Sequence, residues 1–243
     1  MRVIYNTPEG EYSKLYYDML QQTHMLIAGM QGSGKTTIIH GLIYTALYQS
    51  PITNNFVILD PKRVELYEYS KLPHTLYYAS EDADMIDALC YVRRINENRL
   101  KEMQKKKLHI YNGPHFYVII DEMAYFISSD RRQVHSLLQD ICMVWRLTLV
   151  HAIVATHRPT SDVINSTITA NMTARVGLKT RNAQESINII GASGCEKLPL
   201  FGQGYYLRSN ELDLYRMPLT TDDEKQRVID FWMKHRKPRY RFF

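Results

Sequence analysis

The chain has 243 residues, 45% of them hydrophobic and 23% charged, with a net charge of +5 and a pI near 9.0. Those proportions describe a globular chain that buries one large core, and they exclude a disordered, collagen-like or repeat-built protein. No run approaches the about 20 consecutive apolar residues of a membrane span, and the first residues lack a signal-peptide profile, so a cytoplasmic protein is expected. Cys90, Cys142 and Cys195 are far apart and fit reduced thiols. The positive charge suits a polyanionic partner without establishing nucleic-acid binding.

Residues 1–22 are aromatic-rich and irregular, with a turn signal at Pro8-Glu9-Gly10, and read as a lead-in segment. The apolar run Met25-Leu26-Ile27-Ala28 predicts a buried strand, and Gly29-Met30-Gln31-Gly32-Ser33-Gly34-Lys35-Thr36 follows at once. That stretch fits the phosphate-loop pattern G-x-x-x-x-G-K-[ST], or Walker A, with Thr37 just inside the next helix. Its glycines let backbone N–H groups turn toward phosphate oxygens, and the helix N-terminus adds a favourable dipole. Lys35 would reach the β- and γ-phosphates of ATP, and the Thr36 hydroxyl would supply one ligand to Mg²⁺.

Ile38, Ile39, Leu42, Ile43, Ala46 and Leu47 recur at helical spacing and stop before Pro51. Phe56-Val57-Ile58-Leu59 predicts a second strand, closed by Asp60-Pro61-Lys62-Arg63. From Glu81 to about Lys107 the pattern is helical, with Met85, Leu89, Val92, Leu100 and Met103 facing inward and Arg93, Arg94, Arg99 and the three lysines 105–107 facing water. A third strand ends at Ile120, a helix through Val134, Leu138 and Ile141 follows, and a fourth strand over Leu149–Ala155 closes at Thr156-His157-Arg158-Pro159. Ala174–Lys179 predicts a fifth strand, followed by a short helix over Asn182–Ile190. Tyr205–Leu207 and Leu212–Tyr215 read as a small antiparallel addition, and Thr221–Glu224 as a capping box opening a last helix.

Alternating strands and helices imply a mostly parallel sheet flanked by helices, with ligands gathered at the carboxyl ends of the strands. Gly29, Asp60, Asp121 and Thr156 each stand at such an end. Asp121 is placed to hold Mg²⁺ through water opposite Thr36, the Walker B role, and Glu122 to orient and polarise the attacking water. Thr156 is placed to sense the γ-phosphate or that water, or else to satisfy its own strand end. His151 and His157 flank a strand and suit packing and site geometry rather than zinc. The chain shows no strong cation at the leaving phosphates beyond Lys35, so an arginine from an adjacent subunit is expected.

These residues resemble the FtsK/SpoIIIE family of DNA-pumping ATPases. The likeness runs through His24–Thr36, Leu59–Leu66, Val118–Ala124, His151–Ile164 and Thr169–Arg175, in order, and spans about His24 to Leu207. It implies a RecA-like motor core over residues 23–218, a C-terminal helix and basic tail over 219–243, and a homo-oligomeric ring, a hexamer in that family, around double-stranded DNA with ATP between subunits. It also implies that Arg146 reaches the neighbour's nucleotide, with Arg175 as a second candidate, and that Arg158, Lys179 and Arg181 face DNA. Two positions depart from the family pattern: His157 replaces a glutamine and Thr169 a lysine. The family's N-terminal membrane segment, linker, extra domain before the motor core and C-terminal winged-helix reader are expected to be missing.

The expectation is an ATP-driven translocase of a mobile element, phage or plasmid. The alternatives are an ATP-switched DNA clamp or adaptor, and a coupling or packaging ATPase that feeds DNA to a conjugation channel or capsid alongside a membrane or capsid partner.

Overall fold

The computed structural model describes residues 23–49, 54–127, 132–216 and 221–235. The lead-in segment and the basic tail beyond His235 lie outside these residues.

Among the described residues, eight strands form one sheet: β1 (Met25–Ala28), β2 (Asn54–Leu59), β3 (Thr75–Ala79), β4 (His115–Ile120), β5 (Val150–Thr156), β6 (Ala174–Gly177), β7 (Gln203–Arg208) and β8 (Glu211–Arg216). Their order is β3-β2-β4-β5-β1-β6-β7-β8. The first six run parallel, and the β7–β8 hairpin adds antiparallel to β6. The small C-terminal β addition thus extends the central sheet itself.

Among the described residues, six α-helices connect and cover it: α1 (Lys35–Gln49), α2 (Asp82–Lys106), α3 (Arg132–Val144), α4 (Ser166–Asn171), α5 (Ala183–Ile190) and α6 (Asp222–Lys234). Strand alternation divides the core between two faces. Leu26, Val57, Leu59, Val118, Ile120 and Val154 point to one face and meet Met85, Leu89 and Val92 of α2 with Leu138 and Ile141 of α3. Met25, Ile27, Ile58, Ile119 and Ile153 point to the other and meet Ile39, Leu42 and Ile43 of α1 with Ile229 of α6. Strands buried on both faces explain the unbroken apolar runs. Thr221 and Glu224 make the anticipated reciprocal capping box at the start of α6.

Three features depart from the sequence reading. The edge strand β3 and the short helix α4 were not anticipated. On α2 Met85, Leu89, Val92 and Met103 face inward as expected, but Leu100 is exposed and Arg99 is 3% exposed. The Arg99 guanidinium donates to the carbonyls of Thr148 and Pro114 and lies 4.4 Å and 4.5 Å from the Tyr111 and Phe116 ring centres. It is buried because it serves carbonyls at the amino ends of β4 and β5, and its long stem packs like an apolar chain. Burial pulls its pKa down to about 10.

The same amino edge holds the buried histidines His24 and His151 and the half-buried His115. Ala152 N donates to His24 Nδ1 at 3.0 Å. His151 Nδ1 lies 3.1 Å from the Thr23 carbonyl, so it carries the proton, and His151 Nε2 accepts from His115 Nδ1 at 2.8 Å. His151 therefore serves packing, as its position beside an apolar strand suggested.

Candidate nucleotide site

The strand order puts five loop beginnings in a row at the carboxyl edge: those after β2, β4, β5, β1 and β6. The loop after β1 is fixed by both neighbours. Gly29 N donates to Thr156 O at 3.3 Å, and Met30 N donates to Lys179 O at 2.7 Å. A Cβ at Gly29 would stand 2.7 Å from Leu178 Cβ and 3.1 Å from Lys179 O, so a side chain there would force loop and strand apart. Gly34 sits at φ 97°, where a side chain is strained, immediately before α1 begins.

The resulting cavity of about 350 Å³ is lined by Gln31, Gly32, Gly34, Lys35, Thr36 and Thr37 on one side and by Lys62, Glu65, Glu122 and His157 on the other. Ser33 is wholly buried beneath the loop. Lys35 Nζ donates to the carbonyls of Gly29 (2.9 Å) and Met30 (2.8 Å), so the ammonium is already drawn over the loop. Burial lowers its pKa, against the pull of Glu122 and Asp121.

Asp121, at the end of β4, is wholly buried. Its Oδ1 faces Thr36 Oγ1 at 3.5 Å, and its Oδ2 accepts from Lys62 Nζ at 2.8 Å. Burial pushes the Asp121 carboxyl up, with the Lys62 bond opposing it. Burial also works against the Lys62 charge, but the hydrogen bond and the surrounding carboxylates outweigh it and hold that ammonium above the usual range. Thr36 also donates to Glu65. A hydroxyl facing a carboxylate beside a phosphate-sized cradle is an all-oxygen donor set, which fits Mg²⁺.

Glu122 is turned toward β5 and accepts four hydrogen bonds. They come from Thr156 Oγ1 (3.0 Å), His157 N (3.3 Å), Ala124 N (3.2 Å) and His157 Nδ1 (2.6 Å). The carboxylate is thus fixed at the cavity wall, where it can accept a proton from a water inside. Thr156 reaches Glu122 directly, and its hydroxyl also accepts from Arg158 N at 3.1 Å.

The other sequence-derived residues lie apart. Arg158 is exposed and pairs with Asp162 at 3.7 Å. Lys179 Nζ donates to Glu196 O at 2.6 Å, and Arg181 is exposed two residues further on. Arg175 donates to the carbonyls of Met172, Ile189 and Thr169, which commits its guanidinium to its own chain. Arg146 lies in the turn Trp145–Thr148 before β5, at the sheet edge opposite this cavity; its side chain lies outside the described residues. Lys62 and Glu65 were not among the sequence-derived site residues. The signal for them was Asp60-Pro61-Lys62 at the end of a buried strand, the same position that marks Gly29 and Asp121.

The model of the FtsK/SpoIIIE family matches residues 4–186. The DNA translocase FtsK of Borreliella burgdorferi is 30% identical over 212 residues, which covers 80% of this chain and 27% of the relative. That of Helicobacter pylori is 29% identical over 242 residues, covering 92% of this chain and 28% of the relative. The chain therefore spans under a third of the length of these relatives. Among solved structures, the pCW3 conjugation coupling protein TcpA, determined with ATPγS, superposes with a TM-score of 0.84 at 19% identity, covering 97% of this chain and 70% of that one. EssC (ATPases 2 and 3) from Geobacillus thermodenitrificans gives 0.82 at 18% identity, covering 96% and 47%. Both share the fold of this chain. No helix among the described residues is long and apolar enough to cross a membrane.

Proposed function

Because the chain belongs to the FtsK/SpoIIIE family, we propose that it is the ATPase motor core of a translocase that moves double-stranded DNA. Residues 23–218 form the motor, and residues 219–243 a helix and basic tail appended to it. The observation that carries the reading is the convergence, at one cavity, of the phosphate loop, the Thr36–Asp121 pair and a buried glutamate with four donors.

In this reading the loop N–H groups and the α1 dipole receive the triphosphate, and Lys35 leaves its own loop carbonyls for phosphate oxygens. Thr36 and Asp121 would hold Mg²⁺, which when bound supplies charge neutralisation at the phosphates. Glu122, aimed by Thr156 and His157, takes the proton of the attacking water. Arg146 acts from an adjacent subunit in a hexameric ring. Arg158, Lys179 and Arg181 grip the DNA backbone without reading sequence, so binding weakens with salt. The motor works on the cytoplasmic side of any membrane partner and serves a mobile element, phage or plasmid.

A second reading, an ATP-switched clamp that hydrolyses slowly, is favoured by His157, which closes on Glu122 at 2.6 Å where the family pattern has glutamine. ATPase measurements with and without duplex DNA, alongside a triplex-displacement assay, separate the two. A motor is stimulated by duplex and strips the third strand, whereas a clamp leaves it in place. Lys35→Ala, which loses nucleotide, and Glu122→Gln, which retains it without turnover, are the controls. No stimulation by any DNA would sink the motor reading.

A further inference from the structure

The cavity contains a cation that the phosphate loop does not supply. Lys62 stands in the turn after β2, and that turn is tied down by Asp60. The buried Asp60 carboxylate accepts from Arg63 N (3.0 Å), Leu66 N (3.2 Å) and Tyr78 Oη (3.0 Å). Arg63 takes a left-handed φ of 62° and pairs with Glu81 at 2.7 Å. A fixed turn therefore directs Lys62 back across the end of neighbouring β4. There its ammonium lies 2.8 Å from Asp121 Oδ2 and 4.0 Å from Glu122 Oε2.

The two partners differ in what they can do next. The Lys62 side chain is 39% exposed, while that of Asp121 is 0% exposed. Lys62 can swing into water on its flexible stem, whereas Asp121 cannot find water to replace it. Asp121 Oδ1 meanwhile faces the Thr36 hydroxyl on the other side. A hydrated dication between Thr36 and Asp121 would bring a second cation against Lys62, and the two would repel.

Resting on the nucleotide-site reading above, we propose that Lys62 is an exchangeable counter-ion: it neutralises buried Asp121 while the cavity lacks nucleotide and yields that carboxylate to the divalent cation arriving with the triphosphate. Metal uptake and the Lys62–Asp121 contact then compete. Lys62 is a positioning residue, and it sets how much divalent cation nucleotide capture requires.

The test titrates Mg²⁺ into the protein with a fluorescent nonhydrolysable ATP analogue and reads binding rather than turnover. Lys62→Met removes the competitor, so the half-saturating Mg²⁺ falls about five-fold, the worth of a half-exposed ion pair. Affinity for the analogue at saturating Mg²⁺ stays within about two-fold. Lys62→Arg keeps the charge and can hold a carboxylate with two parallel bonds, so the half-saturating Mg²⁺ rises instead. Thermal unfolding without nucleotide gives a second readout: Lys62→Met melts below the wild type, and Mg²⁺ with the analogue narrows the gap. A half-saturating Mg²⁺ that does not fall in Lys62→Met, or does not rise in Lys62→Arg, overturns the proposal. So does a loss of more than about ten-fold in affinity at saturating Mg²⁺, which would make Lys62 a phosphate ligand. A wild-type protein that takes up no analogue at any Mg²⁺ concentration refutes the nucleotide site itself, a distinct outcome.

Discussion

Replacing Thr156 by valine tests how Glu122 is aimed. Thr156 is wholly buried at the end of β5, and valine keeps its branched shape while deleting one hydroxyl. Two hydrogen bonds disappear: the donation to Glu122 Oε1 at 3.0 Å and the acceptance from Arg158 N at 3.1 Å. A hydrogen bond to an ionised acceptor is worth about 1.5–3 kcal/mol, more than the about 1 kcal/mol of a neutral one. If that energy holds Glu122 against the attacking water, its loss lowers kcat by about 10- to 100-fold, since 1.4 kcal/mol is a factor of ten. The phosphate loop is bonded to the main-chain carbonyl of Thr156, which valine keeps, so nucleotide affinity stays within about two-fold. Phosphate release at saturating ATP measures the first quantity and a fluorescent-nucleotide titration the second. Thr156→Ser, which keeps the hydroxyl, retains most of the activity. An unchanged or raised kcat in Thr156→Val would refute the reasoning, because the hydroxyl would then be irrelevant to Glu122 or restraining it.

Arg99→Met keeps most of the buried stem but leaves the carbonyls of Thr148 and Pro114 without their donor, at a net cost of about 2 kcal/mol. The melting temperature should fall by about 4–8 °C in thermal unfolding, with nucleotide affinity unchanged because these carbonyls lie at the opposite edge of the sheet. Acid should also destabilise the fold. Burial depresses His24 and His40 from 6.5 to about 4, so the unfolded chain binds the extra protons between those values. Their contribution is complete above pH 6.5 and drains away as pH falls toward 4, by up to about 3 kcal/mol for each group. Urea unfolding between pH 7 and pH 4 measures it, and a stability flat across that window would contradict the neutral, buried assignment.

The strands that carry the site were legible because each is a continuous apolar run ending abruptly in Gly29, Asp60, Asp121 or Thr156. Burial on both faces produces that pattern directly. The edge strand β3 was missed for the same reason: Thr75-Leu76-Tyr77-Tyr78-Ala79 lies at the margin, half covered, and its tyrosines mask any alternation. On α2 the reading put Leu100 inside and Arg99 outside because hydropathy prices the guanidinium by its charge. Two carbonyls 49 and 15 residues away reverse that preference. The place of Lys62 after a buried strand was a signal, but its pairing was not legible, because its partner lies 59 residues along the chain, on a neighbouring strand. Sequence period reports which side of an element is covered, but it does not report which polar group stands opposite.

Many of the polar groups that the fold buries lie at one or other edge of the sheet, and which edge follows from strand direction. Parallel strands release all their carboxyl ends on one side, so Lys35, Asp121, Glu122 and Thr156 are brought together there by topology alone. At the amino edge the chain serves its own main-chain groups: Arg99 the carbonyls of Pro114 and Thr148 just before β4 and β5, His24 the Ala152 N–H of β5, and His151 the Thr23 carbonyl before β1. Substitutions at the amino edge therefore act on stability, and those at the carboxyl edge on nucleotide chemistry. At the carboxyl edge the Thr156 hydroxyl joins Glu122 to the main chain of the exposed Arg158.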